Sequence, residues 1–125
     1  MNQKHELELL GTKQRLREWA YWCNDILTMG LGFPKKSIIG RLIDTKGEII
    51  RSTTPALSPE NQLAEEVDRL INEYSKTHFN RAKVLVLHYL NKDKKITERI
   101  ASSGFAKSTY FYNLDEAEQW IHKQL

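Results

Sequence analysis

Apolar residues in the N-terminal quarter of the chain recur at steps of three and four positions: Leu16, Trp19, Ala20, Cys23, Ile26 and Leu27. This is the period of an α-helix that buries one face. Two glycines and a proline follow in the segment 30–34, where a helix cannot continue. The pattern therefore predicts a first helix over residues 12–29.

A second apolar stripe follows Ser58-Pro59-Glu60, a typical helix start with a capping hydroxyl, a proline at the first helical position and an acid in the first turn. The stripe predicts a helix from residue 58 to about residue 75 and consists of Leu63, Ala64, Val67, Leu70, Ile71 and Tyr74. A third helix is predicted from Phe79, Ala82, Leu85, Val86, Tyr89 and Leu90. The apolar run 84–87 would also suit a buried strand, but the spacing around it favours a helix.

The segment 30–57 shows no single period. It contains two apolar pairs, Ile38-Ile39 and Ile49-Ile50, and the turn-forming residues 44–47 between them would suit a short hairpin. We expect irregular structure there, with at most two short strands. The predicted fold is all-α, with at most a minor short β-hairpin, in a single domain over residues 1–125 whose helical bundle occupies residues 58–125.

Residues 96–114 predict two short helices hinged at a glycine, the pattern of a helix-turn-helix. Ile100 precedes Gly104 by four positions, Tyr110 follows it by six, and Leu114 comes four later. These apolar residues fall on the inner faces of both helices, and glycine tolerates a positive φ at the corner. Facing outward are four side chains that can donate to a phosphate or a base edge: Lys107, Ser108, Thr109 and Tyr112.

An ordinary helical hairpin with glycine in its turn would show the same spacing, so both interpretations stay open at this point. The usual motif has alanine four positions before the glycine, whereas Ala101 is three before it. Ala106 occupies the position where a serine or threonine would cap the second helix. Asn113 falls where the motif often has a buried aliphatic residue.

Charge is distributed unevenly along the chain, although the formal net charge is only +3. Residues 58–75 hold one basic and five acidic residues, whereas residues 76–107 hold eight basic and two acidic residues. The basic block covers the approach to Gly104 and the start of the helix after it. A cationic face there would attract a phosphate backbone in a salt-dependent way.

The sequence offers no pattern typical of a catalytic or metal site. Cys23 is the only cysteine, so we expect no disulfide framework and a reducing cytoplasm as the location. Its apolar neighbours indicate a buried thiol. The four histidines are scattered, and no phosphate-binding loop or nucleophile elbow is present. No run of about 18 apolar residues suggests a membrane span. We therefore expect a non-enzymatic protein without cofactor or metal.

Several further side chains have an expected environment. Glu65, Glu66 and Asp68 are expected on a solvated face, or on a contact patch for a basic protein. Of the consecutive aromatics, Tyr110 is expected in the core and Tyr112 as a DNA contact, with Phe111 unassigned. The core is also expected to hold the three tryptophans: Trp19, Trp22 and Trp120.

Blocks over residues 15–122 resemble the phage antitermination protein Q family, in its short lambdoid type. They are the tryptophan pair in residues 17–22, Gly32-Phe33-Pro34, the helix segment 64–68, and a C-terminal pattern. That pattern comprises Ile100-Ala101, Gly104, Lys107-Ser108-Thr109, Leu114, Ala117 and Trp120-Ile121.

The resemblance implies a protein of the bacterial cytoplasm that binds double-stranded DNA near a late phage promoter. It would load onto paused host RNA polymerase and let it read through terminators. Its C-terminal helix-turn-helix would be similar to the promoter-reading domain of sigma factors. By the same resemblance, Lys107, Ser108, Thr109 and Tyr112 would read DNA, and Lys94, Lys95 and Arg99 would clamp phosphates. The segment 30–55, with Lys35, Lys36 and Arg41, is a candidate for the polymerase contact.

Two other functions remain compatible with the sequence. One is a transcriptional repressor or activator that binds DNA without travelling with the polymerase. The other is a helical adaptor with no nucleic-acid role, whose acidic helix at residues 58–75 would be the contact face.

Overall fold

The computed structural model of the chain describes residues 3–28, 37–43 and 61–125. Six helices occur in these ranges: α1 (Gln3–Thr28), α2 (Ile38–Ile43), α3 (Gln62–Thr77), α4 (Phe79–Leu90), α5 (Ile96–Ser103) and α6 (Lys107–Gln124). These ranges contain no strand, so the predicted all-α class is confirmed for them. None of the described helices combines the length and apolar character needed to cross a bilayer.

The first helix begins earlier than predicted. It starts at Gln3 rather than at residue 12, and its packed face includes Leu9 and Thr12, both about 4% exposed. The apolar stripe that predicted the helix, from Leu16 to Leu27, covers only the later part of this face. Gly11 does not interrupt the helix, because an isolated glycine costs only about 1 kcal/mol relative to alanine.

Part of the segment predicted to be irregular is helical. Ile38 and Ile39, considered for a strand, lie in α2 and are fully buried. Ser37 explains the helix start, since its Oγ accepts from the Gly40 amide at 3.0 Å. Asn72 of α3 fixes α2 in place by accepting from the Ile38 amide at 2.8 Å. The possible turn at 44–47, the predicted helix end at 30–34 and Lys35 and Lys36 lie outside the described residues.

The start of α3 corrects the predicted cap. The helix begins at Gln62, with Asn61 in an extended conformation and its side chain accepting from the Ala64 amide at 3.0 Å. Asn61 satisfies a first-turn donor as serine would, which is why composition alone did not distinguish the two. The predicted cap, Ser58, lies outside the described residues. At its other end α3 is followed by one residue, His78, before α4 begins.

The centre of the bundle is α4, which contacts every other described helix. Its residues 84–87 are completely buried. Because α4 is covered on all sides at these four residues, the run is apolar without the alternation expected of a surface helix. The strand-like appearance of the sequence therefore reflects a central helix.

The N-terminal helix crosses α3, α4 and α6, and a buried polar contact fixes its position. The Trp19 indole donates from Nε1 to Asp68 Oδ1 at 3.1 Å, and Asn72 donates to the other carboxylate oxygen at 3.2 Å. Burial raises the pKa of Asp68. Glu65 and Glu66 are exposed as expected, but the expectation of a solvated Asp68 is wrong.

Of three other residues expected in the core, two are buried and one lies at the edge of the core. Trp22 and Cys23 are buried as predicted, and burial raises the pKa of the Cys23 thiol. Trp120 is only partly buried and stacks on Tyr74, with 4.4 Å between ring centroids. Its expected place in the core is corrected to the edge of the core.

Candidate nucleic-acid interface

The connection between α5 and α6 is the three-residue segment Gly104-Phe105-Ala106. Gly104 adopts the left-handed conformation, with φ of 80°, and ends α5 with its amide donating to the Ala101 carbonyl at 3.2 Å. Ser103 stabilises the corner, because its hydroxyl donates to the Ile100 carbonyl and accepts from the Phe105 amide. The glycine therefore occupies the positive-φ position predicted for it.

One histidine of α4 holds both helices after it. His88 Nδ1 lies 2.9 Å from the Tyr110 hydroxyl of α6, and the His88 carbonyl accepts from Arg99 of α5 at 3.0 Å. Burial, followed by the nearby Arg99, Lys13 and Lys92 charges, lowers the pKa of His88 to about 4. The imidazole is therefore neutral near pH 7, and an unprotonated Nδ1 can accept the hydroxyl hydrogen.

The first turns of α6 separate inward and outward residues as predicted. Tyr110 is completely buried and Leu114 is 6% exposed. Four side chains of the same turns are exposed: Lys107, Ser108, Thr109 and Tyr112. The polar Asn113 is buried, and its Nδ2 donates to the Thr109 carbonyl at 3.0 Å, which satisfies part of its hydrogen-bonding capacity. Its burial matches the aliphatic position that the motif usually has.

The three residues expected to clamp phosphates have different environments. Lys95 is exposed and immediately precedes α5, and Lys94 beside it is half-buried. Arg99 is half-buried and holds the His88 carbonyl, so its guanidinium already has a role within the fold. The structure does not place Arg99 with the outward residues of α6.

Arg81 and Lys83 belong to the basic block of residues 76–107, but nothing in the sequence marks them as part of the candidate interface. Arg81 Cζ lies 5.8 Å from the Tyr112 ring centroid, and its Nη1 lies 3.9 Å from a Glu116 oxygen. Lys83 Nζ lies 6.0 Å from the Phe105 ring centroid. Two cations of α4 therefore flank the corner and the start of α6. Only the packing of α4 against α6 reveals this, since the residues are far apart in sequence.

The start of α6 carries no negative charge of its own. Ala106 provides no side-chain cap, and the first turn contains no acidic residue. Free amides at a helix start favour an anion. Within the described ranges, no group of three or more His, Cys, Asp or Glu side chains is arranged to hold a metal ion.

Comparisons of the chain with protein-family models, with curated proteins and with solved structures find no match. What supports a function is therefore the arrangement of this chain's own residues.

Proposed function

We propose that the chain binds double-stranded DNA through α5, the Gly104 corner and α6, used as a helix-turn-helix with α6 as the recognition helix. The observation that carries the proposal is that residues 107–114 comprise both exposed hydrogen-bond donors and buried anchoring residues. Four consecutive or near-consecutive donors are exposed there, while Tyr110 and Leu114 anchor the same turns in the core. A helix held in this way offers donors to base edges and phosphates without rearrangement.

The surrounding charges support the proposal. Lys95 before α5 and Lys107 at the start of α6 are exposed, and Arg81 and Lys83 flank the corner from α4. The uncapped start of α6 adds the favourable end of a helix dipole. Together these groups favour a phosphate backbone running across the corner, with affinity that falls as salt rises.

We further propose that the protein acts as a phage late-gene antiterminator, as its resemblance to the phage antitermination protein Q family implies. In that role it would bind promoter-proximal DNA, load onto host RNA polymerase and allow read-through of terminators. Arg41, in the candidate polymerase-contact segment, is exposed and lies over the Phe79 ring at 4.5 Å. This contact keeps one cation of that segment ordered at the bundle surface.

DNA binding is tested by fluorescence anisotropy on duplexes carrying a late-promoter region, over a range of salt concentrations. We expect Lys107→Ala to weaken binding about tenfold and to reduce the salt slope by about 1. Tyr112→Ala should weaken binding with little change in that slope. Lys123→Ala, which removes an exposed lysine at the far end of α6, is the control. Unchanged affinity in both interface variants would refute the proposed DNA-binding surface.

The antiterminator role is tested in a purified transcription reaction with a promoter and a downstream terminator. The proposal predicts increased read-through that depends on the promoter-proximal DNA and is reduced by Lys107→Ala. DNA binding without any effect on read-through would instead identify a repressor or activator. Absence of DNA binding together with capture of a basic protein by the exposed acids of α3, Glu65 and Glu66, would identify an adaptor.

A further inference from the structure

A cleft of about 660 Å³ lies between α1, α4, the α4–α5 turn, α5 and α6. It is separate from the proposed DNA surface, because none of Lys107, Ser108, Thr109 and Tyr112 lines it. Four basic side chains line it, from three elements: Lys13 and Arg17 of α1, Lys92 of the α4–α5 turn and Arg99 of α5. Its volume is that of a typical small-molecule site.

Within the described part of the chain, no ion pair joins Lys13, Lys92 or Arg99 to a carboxylate, and Arg17 donates to the Gln14 side chain. Two acids line the same cleft, but each has another partner. Asp115 accepts from Nε2 of the Gln119 side chain at 2.7 Å, and buried Glu118 accepts from the Tyr89 hydroxyl. Burial raises the pKa of Glu118, while its hydrogen bond with Tyr89 and the nearby Lys13 and Arg17 charges lower it.

Lys13, Lys92 and Arg99 line the same cleft as His88. Each of Arg99, Lys13 and Lys92 is near enough to His88 to lower the pKa of its imidazole. Arg99 Nε is in addition buried without a hydrogen-bond partner in the described part of the chain. Like charges that converge in a partly enclosed site repel one another, and a bound anion would remove that repulsion.

We propose that this cleft binds a nucleotide-like ligand, with a phosphate group between Lys13, Lys92 and Arg99. Three cations suit a phosphate monoester, which carries up to two negative charges, better than a single carboxylate. The same chemistry would come from a free mononucleotide or from the phosphorylated end of a nucleic-acid strand.

An aromatic ring of the ligand has a partner in Phe111. This side chain lines the cleft and is 39% exposed, although it is held at an edge-on 86° against buried Tyr110. A large apolar side chain kept rigid and partly exposed beside a cationic site is suited to stack on a base. The assignment gives a role to the one aromatic of residues 110–112 that the sequence left unassigned.

The experiment is isothermal titration calorimetry of the full chain with AMP, adenosine and inorganic phosphate at low salt. We expect AMP to bind, phosphate to bind more weakly and adenosine not to bind. The double variant Lys13→Ala/Lys92→Ala should weaken AMP binding at least about tenfold, since it removes two charged contacts. Phe111→Ala should weaken the binding of AMP but not that of phosphate. Lys76→Ala/Lys123→Ala, at exposed positions outside the cleft, is the matched control.

Two further measurements sharpen the result. A phosphate placed among the three cations would offset their charge, so NMR titration should show the pKa of His88 rising when AMP binds. A 5′-phosphorylated trinucleotide that binds more tightly than AMP would identify a strand end as the source, and weaker binding would identify a free nucleotide. Lys107→Ala should leave AMP binding unchanged. Failure of AMP to bind, or equal affinity in the Lys13/Lys92 double variant, would overturn the proposal.

Discussion

The Nδ1 atom of His88 lies 2.9 Å from the hydroxyl oxygen of Tyr110 and joins the central helix to the first turns of α6. The backbone carbonyl of the same histidine accepts from Arg99 of α5. A single residue therefore positions both helices of the proposed DNA-binding unit. Its protonation state affects that unit directly, because a charged imidazole would have to bring its charge into a half-buried site already surrounded by cations.

Acidification should destabilise the protein through His88. The unfolded imidazole takes up a proton near its ordinary pKa of 6.5, whereas the folded one does so only at about 4. Between these values the unfolded state binds more protons, so the free energy of unfolding falls as pH drops from about 6.5 to 4. The loss amounts to about 3 kcal/mol at most. Urea unfolding at a series of pH values measures it.

His88→Gln isolates this contribution, because it keeps a hydrogen-bonding side chain but cannot titrate. The raised pKa values of Asp68 and Glu118 give the opposite slope in both proteins, since those acids hold protons more tightly when folded. The difference between the wild-type and variant curves should therefore show the histidine effect. His78→Gln, at an exposed position, is the control. Parallel curves for wild type and His88→Gln would contradict the prediction.

Gly104→Ala should destabilise the protein by about 1 to 2 kcal/mol. A Cβ at this position meets nothing within 4 Å, so the cost comes from the left-handed backbone alone. Gly104→Asn should lose less, because asparagine tolerates that conformation better. Denaturant unfolding provides the measurement.

Gly11→Ala is the matched control for the corner glycine. Gly11 lies within α1, and a Cβ there is equally free of contacts. The substitution should stabilise the protein by about 0.5 to 1 kcal/mol, because alanine favours helix. Equal effects of the two substitutions would show that backbone conformation does not decide the cost at Gly104.

Removing the Asp68 carboxylate should lower the free energy of unfolding, because the Trp19 indole donates to it. Asp68→Ala leaves the buried indole N–H without its acceptor and should cost about 1 to 3 kcal/mol. Asp68→Asn should cost less, since the amide oxygen can still accept. In a Trp19→Phe background, which lacks the donor, the further cost of Asp68→Ala should shrink. A double-mutant cycle by chemical denaturation measures this coupling, and additive effects would contradict it.

Substitutions at Tyr110 and Tyr112 should affect different properties, namely protein stability at Tyr110 and DNA affinity at Tyr112. Tyr110→Phe removes the hydroxyl that contacts His88 and should cost about 1 kcal/mol of stability. Tyr112 is 58% exposed, so Tyr112→Ala should change stability by less than about 0.5 kcal/mol. DNA affinity, if the proposed interface is right, should fall with Tyr112→Ala at unchanged stability. Thermal unfolding and anisotropy on the same samples separate the two effects.

The sequence predicted those parts of the fold that depend on local periodicity. The stripe from Ala64 to Tyr74 and the Gly104 corner were recognised because each repeats or interrupts a helical period within a few residues, whereas Leu63, counted in the predicted stripe, is 57% exposed. Ile38 and Ile39 were misinterpreted, because α2 is too short to show a period and depends on capping by Ser37 and a contact from Asn72. The start of α1 at Gln3 was missed because Gly11 and the polar Thr12 interrupt the apolar stripe between Leu9 and Leu16.

The candidate site was predicted only where side-chain direction follows from position on a helix. Lys107, Ser108, Thr109 and Tyr112 met that condition. Arg99 did not, because its bond to the His88 carbonyl depends on how α5 packs against α4. The same holds for the cleft, whose cations come from α1, the α4–α5 turn and α5, and for Arg81 beside Tyr112. No spacing along the chain indicates such contacts between distant segments.

The Thr12 hydroxyl lies 2.8 Å from His122 Nδ1, a contact that spans 110 positions of the chain. During synthesis α1 therefore leaves the ribosome long before α6, one of the helices it packs against, has been made. Trp19 can be covered once α3, which provides Asp68, has emerged, but the part of α1 that packs on α6 must stay exposed or be sheltered by a chaperone until translation has passed α6. Slow translation of the C-terminal third should then raise aggregation of the nascent chain.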